Sequence, residues 1–185
     1  MRECNFLYRL LIVVLLCLVS YTAVADDTWI DPNGKPIPEQ SNMKSKEGFG
    51  AQLWFVTDKT FFDEWKKSSI SVRIPAVNWT TRLKELFPIV LLSWSDTHSS
   101  APCDVIYRIV VRKPDGGIYA DIPNVVACSG EKIPARKLFL AEDYYGLTVE
   151  PQEPLGDYSV TVSITDRTSG ISLDLSGKFS VIQQN

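Results

Sequence analysis

Two successive stretches near the C-terminus alternate apolar and polar residues with a period of two, and nothing else in the chain restricts its fold as much. In "EPLGDYSVTVSITDRTSG", Tyr158, Val160, Val162 and Ile164 alternate with Ser159, Thr161, Ser163 and Thr165. After the turn "DRTSG" the same period resumes, with Ile171, Leu173, Leu175, Phe179 and Val181 set against Ser172, Asp174, Ser176, Lys178 and Ser180. Side chains repeat every two residues only on extended backbone, so each stretch is a strand with one core face and one wet face. The two form a hairpin with a single apolar side.

The same signal recurs upstream. Phe49, Ala51, Leu53 and Phe55 fall on one side of an extended segment and Gln52, Trp54 and Val56 on the other, which predicts a first strand at about 50–57. "TDKTFFDEWKK" places Phe61, Phe62 and Trp65 at helical spacing, with Thr60 and Asp63 arranged like a capping pair, and predicts a short helix closing one end of the core. A strand is expected at Ile70–Ile74, with Pro75 ending it or marking an edge. "FPIVLLSW" is a continuous apolar run too short for most helices, the pattern of a strand buried on both sides. Short strands are expected near Leu138–Leu140 and Leu147–Glu150.

"DVIYRIVVRKPDGGIYADIPNVVAC" reads as the clearest hairpin. Val105, Tyr107, Ile109 and Val111 share a face and Arg108 and Arg112 point the other way, with Asp115-Gly116 placed as the central pair of a type I′ turn. That register sets Cys103 opposite Cys128 in a non-hydrogen-bonded pair, whose Cα atoms lie about 4.5 Å apart and accept a disulfide. Pro123 in the return strand cannot donate to the ladder, and a bulge there shifts the register. About eight strands separated by turn signals, with one short helix, make an all-β chain: an antiparallel immunoglobulin-like β-sandwich, with a closed barrel as the alternative.

The N-terminal residues 1–25 carry Arg2 and Arg9, then "LLIVVLLCLV", then the small residues "AVA", the three regions of a secretory signal peptide. The apolar run is shorter than the roughly 20 residues that cross a bilayer. Cys17 follows Leu16 inside that run, without the small residue that precedes a lipidated cysteine. Residues 26–48 are polar, rich in turn formers and without apolar period, and read as a flexible lead; residues 49–185 form the single sandwich domain. Of 19 basic and 22 acidic residues, processing removes Arg2, Arg9 and Glu3, and the mature net charge becomes −4. With no basic cluster, the composition excludes a nucleic-acid binder, which gains affinity by neutralising phosphates. Cys103 and Cys128 are the cysteines that remain, an even number in an oxidising compartment, so one disulfide is expected.

In order along the chain, "GFGAQLWFVTD", "FFDEW", "VRKPDGGIY", "LTVEPQEPLGDYSVTVSITDRTSGISLDL" and "FSV" resemble a group of small uncharacterised secreted proteins of Gram-negative bacteria. The resemblance runs from about Phe49 to Val181 and is most specific at "EP" and "PLGDY". It implies a periplasmic location and a shared scaffold, and brings no catalytic residue. The chain departs from the group in the loop "SWSDTHSSAPC", which lacks the earlier cysteine found in relatives; Cys128 is then the replacement partner, or Cys103 is unpaired.

Candidate chemistry is sparse. His98 sits among Ser95, Asp96, Ser99 and Ser100 in one loop, where a hydrolase triad needs its members on a rigid scaffold, and no G-x-S-x-G elbow is present. Glu142, Asp143, Glu150, Glu153 and Asp157 supply carboxylates for glycoside hydrolysis or for Ca²⁺, against the plain reading that an acidic chain carries them in its loops. One His and two Cys do not make a transition-metal site, "PDGG" lacks the lysine and helix of a phosphate cradle, and no cofactor is expected. Asn78 in "NWT" is a glycosylation sequon in a eukaryotic chain only. The surplus is aromatic: Trp54, Trp94, Tyr144 and Tyr145 are the candidate binding residues, since exposed rings stack on sugars and anchor interfaces. The expected function is a non-enzymatic envelope protein that binds a protein or peptide through a strand edge or aromatic patch, with a carbohydrate-binding module as runner-up and a weak hydrolase third.

Overall fold

A computed structural model describes Trp29, Lys35 and residues 37–67, 73–96 and 101–184. Among these residues ten strands and one helix follow in chain order: β1 (Met43–Lys46), β2 (Phe49–Val56), α1 (Thr60–Lys67), β3 (Trp79–Thr81), β4 (Glu85–Trp94), β5 (Asp104–Arg112), β6 (Ile118–Ser129), β7 (Phe139–Leu140), β8 (Leu147–Thr148), β9 (Gly156–Asp166) and β10 (Ile171–Ile182). They build two five-stranded sheets, one ordered β1-β2-β4-β7 with β8 also on β4, the other β3-β10-β9-β5-β6. The run β10-β9-β5-β6 corresponds to the G-F-C-C′ order of immunoglobulin sandwiches, and β2-β4-β7 to A-B-E. Every pairing is antiparallel except β3 with β10.

Alternation decides which side chains lie between the sheets. Tyr158, Val160, Val162 and Ile164 of β9 and Leu173, Leu175, Phe179 and Val181 of β10 enter the main core, with Val105, Tyr107, Ile109 and Val111 of β5. Phe49, Ala51, Leu53 and Phe55 of β2 meet them from the other sheet. β4 is buried on both faces: Leu86, Val90, Leu92 and Trp94 point into the main core, whereas Phe87 and Ile89 point outward. That outer side is covered by α1, whose Phe61 and Phe62 form a second cluster with Val56 and half-buried Trp54, Trp65 and Tyr144. Pro88 is tolerated in this inner strand because it lies where β4 changes partner, between its pairing with β8 at Glu85–Leu86 and with β7 at Leu91–Leu92.

Several expectations need correction. The lead is partly ordered: Met43–Lys46 is an edge strand, and the indole of buried Trp29 donates to Lys44 O at 3.0 Å. Helix α1 is capped by Asp58, whose Oδ1 accepts Thr60 N at 2.9 Å, and not by Thr60. Residues 70–72 of the expected strand lie outside the described residues, and Arg73 and Ile74 are irregular; β3 was not foreseen. The β5–β6 turn is not type I′. Gly116 N bonds Lys113 O at 2.9 Å, only Gly116 of the central pair has positive φ (+87°), and Lys113 N bonds Gly117 O, a type I turn closed by a glycine bulge. Three irregularities follow along β6, one across Pro123 and Asn124 (φ 56°), so that Cys128 faces Val105 and not Cys103. The disulfide Cys103–Cys128 is present nonetheless, reaching diagonally across the ladder with Cα atoms 6.0 Å apart. Among the described residues no helix is long and apolar enough to cross a membrane.

Candidate functional site: a groove beside an open strand edge

The four aromatic candidates do not form one patch. Trp94 is core: it is 4% exposed, its ring packs 5.5 Å from Phe49, and its indole donates to Asp166 Oδ2 at 3.3 Å. It offers no surface to a partner, which corrects its assignment as a binding residue. Trp54 is half-buried in the cluster beneath α1 and donates to Gln52 Oε1 at 2.8 Å. Tyr144 stacks on Phe62 at 3.9 Å in nearly parallel planes, while its neighbour Tyr145 is 43% exposed. Trp79, in β3, is the most exposed tryptophan described at 48%.

The carboxylates are also dispersed. Asp157 accepts Ser180 Oγ on the wet face of the second sheet, and Glu142 and Asp143 are exposed. Glu150 and Glu153 share a concavity, an open groove of about 540 Å³. The groove lies between the start of β6 (Ile118, Tyr119, Ala120) and the segment Gly146–Thr148, with Glu150, Gln152, Glu153 and Lys113 completing its walls.

Its geometry follows from the local sequence. The bulge early in β6 makes Arg112 pair with Ile118 but Val111 with Ala120, so Tyr119 is the extra residue and turns toward the core side. There its ring meets Tyr158 edge-on at 5.7 Å, and its hydroxyl lies 2.5 Å from Thr148 O and 2.7 Å from Glu150 Oε2. The sequence pattern gave no hint of this, because period two assigns a residue to a face only while the register holds. At the far end Lys113, beside the hairpin turn, bonds Glu153 Oε2 at 2.6 Å, and Arg82 donates to Glu153 O.

The electrostatics favour fixed charge. The hydrogen bond from Tyr119 holds the Glu150 carboxyl below the usual carboxylate range. Burial and the Glu150 carboxylate push the Tyr119 hydroxyl well above the usual phenol value, so it remains a neutral donor. The pair of Glu153 with Lys113 raises the lysine. His98 lies outside the described residues; of its loop, Ser95 is buried and Asp96 accepts Arg136 Nε at 2.9 Å. Among the described residues no group of three or more His, Cys, Asp and Glu side chains is placed to hold a metal ion.

Comparison with protein-family models and with curated proteins gives no match. Among solved structures, the chain is similar to a family 123 glycoside hydrolase from Clostridium perfringens, described for its hydrolysis of glycolipid glycans, at 15% identity and a TM-score of 0.42. The match covers 74% of this chain but 28% of that one, so the chain spans under a third of the hydrolase's length, and the likeness transfers no activity.

Proposed function

We propose that the protein is a non-enzymatic binding module that engages a protein or peptide partner through the open edge of β6. One observation carries this reading: β6 is the outermost strand of its sheet, and from Ile118 to Asn124 no backbone hydrogen bond from another described segment reaches its outer side. Unpaired strand edges are templates for strand addition. The Tyr119 hydrogen bond favours the ionised form of Glu150, which does not suit it to the role of general acid in hydrolysis. A carbohydrate ligand is the second reading, favoured by the polar lining around the Tyr119 ring. The disulfide and the N-terminal signal-like segment support action outside the cytoplasm, and we place the protein in the periplasm on the resemblance noted above.

The reading is tested by amide hydrogen exchange of the full chain with and without a saturating random-peptide library. Slowed exchange at Ile118–Asn124 is expected. Unchanged exchange there, together with retention on a glycan array that Tyr119→Ala abolishes, would replace the peptide reading with the carbohydrate one.

A further inference from the structure

The outer side of β6 is already used at one end by the chain itself. Glu142 N bonds Ala127 O at 2.8 Å and Asp143 N bonds Val126 O at 3.2 Å. The backbone then leaves β6, and Leu147–Thr148 pairs instead with Glu85–Leu86 of β4 in the other sheet. Among the described residues β8 has no second strand partner, so two backbone edges, Leu147–Thr148 and the Ile118–Ala120 end of the open β6 edge, border the same groove. One side-chain hydroxyl, that of Tyr119, links them.

Among the described lining residues the groove has one cationic donor, Lys113, and it is already paired with Glu153. Tyr119 carries one hydroxyl proton but lies within reach of both Thr148 O and Glu150 Oε2. Glu150 is exposed, and its carboxylate takes hydrogen bonds from the Tyr119 hydroxyl and from its own backbone N–H, both of them neutral donors. The other groove carboxylate, Glu153, is matched by Lys113, so the lining carries one uncompensated negative charge, at Glu150. An added strand supplies backbone N–H groups to the open edges, and an ammonium or guanidinium group supplies several donors and the missing positive charge.

We infer that the groove receives an extended peptide segment that continues the Glu142–Asp143 pairing along β6 and sets a lysine or arginine side chain against Glu150. This rests on the peptide-binding reading above and adds the partner's chemistry to it. Peptides with the opposite charge are rejected, because a second carboxylate beside Glu150 has no cation to share.

The test uses short synthetic peptides of alternating Val–Lys, Val–Ser and Val–Glu, titrated by fluorescence anisotropy into the full chain and into Glu150→Gln, with hydrogen exchange locating the contact. A charge-assisted hydrogen bond at an exposed site corresponds to about a tenfold preference, so Val–Lys is expected to bind about tenfold more tightly than Val–Ser, and Val–Glu most weakly. Glu150→Gln is expected to abolish most of that preference, so that Val–Lys and Val–Ser bind that variant about equally, with Ile118–Asn124 protected in each complex. Equal binding of Val–Lys and Val–Ser, with β6 protected, overturns the inference and leaves the peptide reading standing. A lysine preference that survives Glu150→Gln, or that appears without protection of β6, overturns it as well. If none of the peptides binds, both readings fall.

Discussion

Tyr158 closes the corner between the segment Pro151–Leu155 and β9. Its ring is fully buried, stacked 5.3 Å from Phe179, and its hydroxyl donates to Pro154 O at 2.9 Å, four residues upstream. This is the tyrosine corner of immunoglobulin-like sandwiches, and Val160, two residues on, stands where antibody domains place a disulfide cysteine. Tyr158→Phe keeps the ring and leaves Pro154 O without that donor, so a loss of about 0.5–1.5 kcal/mol is expected in urea denaturation, with an unchanged m-value. Gly177 matters for space. It falls on the apolar face of β10, where an added Cβ would lie 3.0 Å from two ring carbons of Phe55. Gly177→Ala is therefore expected to destabilise by about 1–3 kcal/mol, the range for overpacking a core, read from the shift in denaturation midpoint. Unchanged stability would mean that the Phe55 ring yields freely.

At the scale of elements, the β5–β6 hairpin shows how bulges and a disulfide work together. Each irregularity displaces β6 relative to β5 and bends it, which blunts the edge against indiscriminate pairing; Arg108 and Asp121 reinforce the outer face with a two-pronged ion pair. The accumulated slip moves Cys128 off the position opposite Cys103, yet backbone hydrogen bonds continue past the open end of the hairpin (Cys103 N to Glu131 O at 2.7 Å, Gly130 N to Cys103 O at 2.8 Å) and keep the two strands close enough for the bridge. The bridge spans a sequence separation of 25. Removing it in Cys103→Ala/Cys128→Ala is expected to cost about 3 kcal/mol through the entropy of the unfolded chain, measured by comparing denaturation of the variant with that of the wild type. A loss confined to well under 1 kcal/mol would show that the hairpin is already constrained when unfolded.

At the scale of the whole molecule, stability depends on pH at both ends. Asp121, held down by its hydrogen bond from Arg108, Glu150, held down by Tyr119, and Asp58, held down by Thr60 N, all have folded pKa values below their unfolded ones. Their contribution is present above the unfolded value near 4 and is lost as the pH falls through the folded values. Thermal melts are expected to drop over that interval, and Asp121→Asn is expected to flatten the acid limb. Tyr107 runs the other way. Burial raises its pKa, and its hydroxyl donates to Asp143 O at 2.5 Å, so its neutral form is favoured in the fold. Its contribution is intact below the unfolded value of about 10 and is lost as the pH rises above it. An alkaline limb that persists unchanged in Tyr107→Phe would assign that limb to another group.

What the sequence determined by itself is what depends on local period. Alternation at Tyr158–Ile164 and Ile171–Val181 put the apolar residues of both strands in the core, and the apolar run at Phe87–Trp94 announced a strand buried on both sides. Even Trp54 was assigned to the correct face of β2, because face assignment needs no knowledge of neighbours. The tertiary structure decided whatever depends on register and on what covers a face. Trp94 is buried because Phe49 and Asp166 come to it from β2 and β9; Tyr119 enters the groove because a bulge turns it; and Glu153 meets Lys113 because the hairpin tip folds against the approach to β9. One residue of slip in a ladder reverses every side chain beyond it, so a site assembled from two sheet edges becomes visible only after both have been placed.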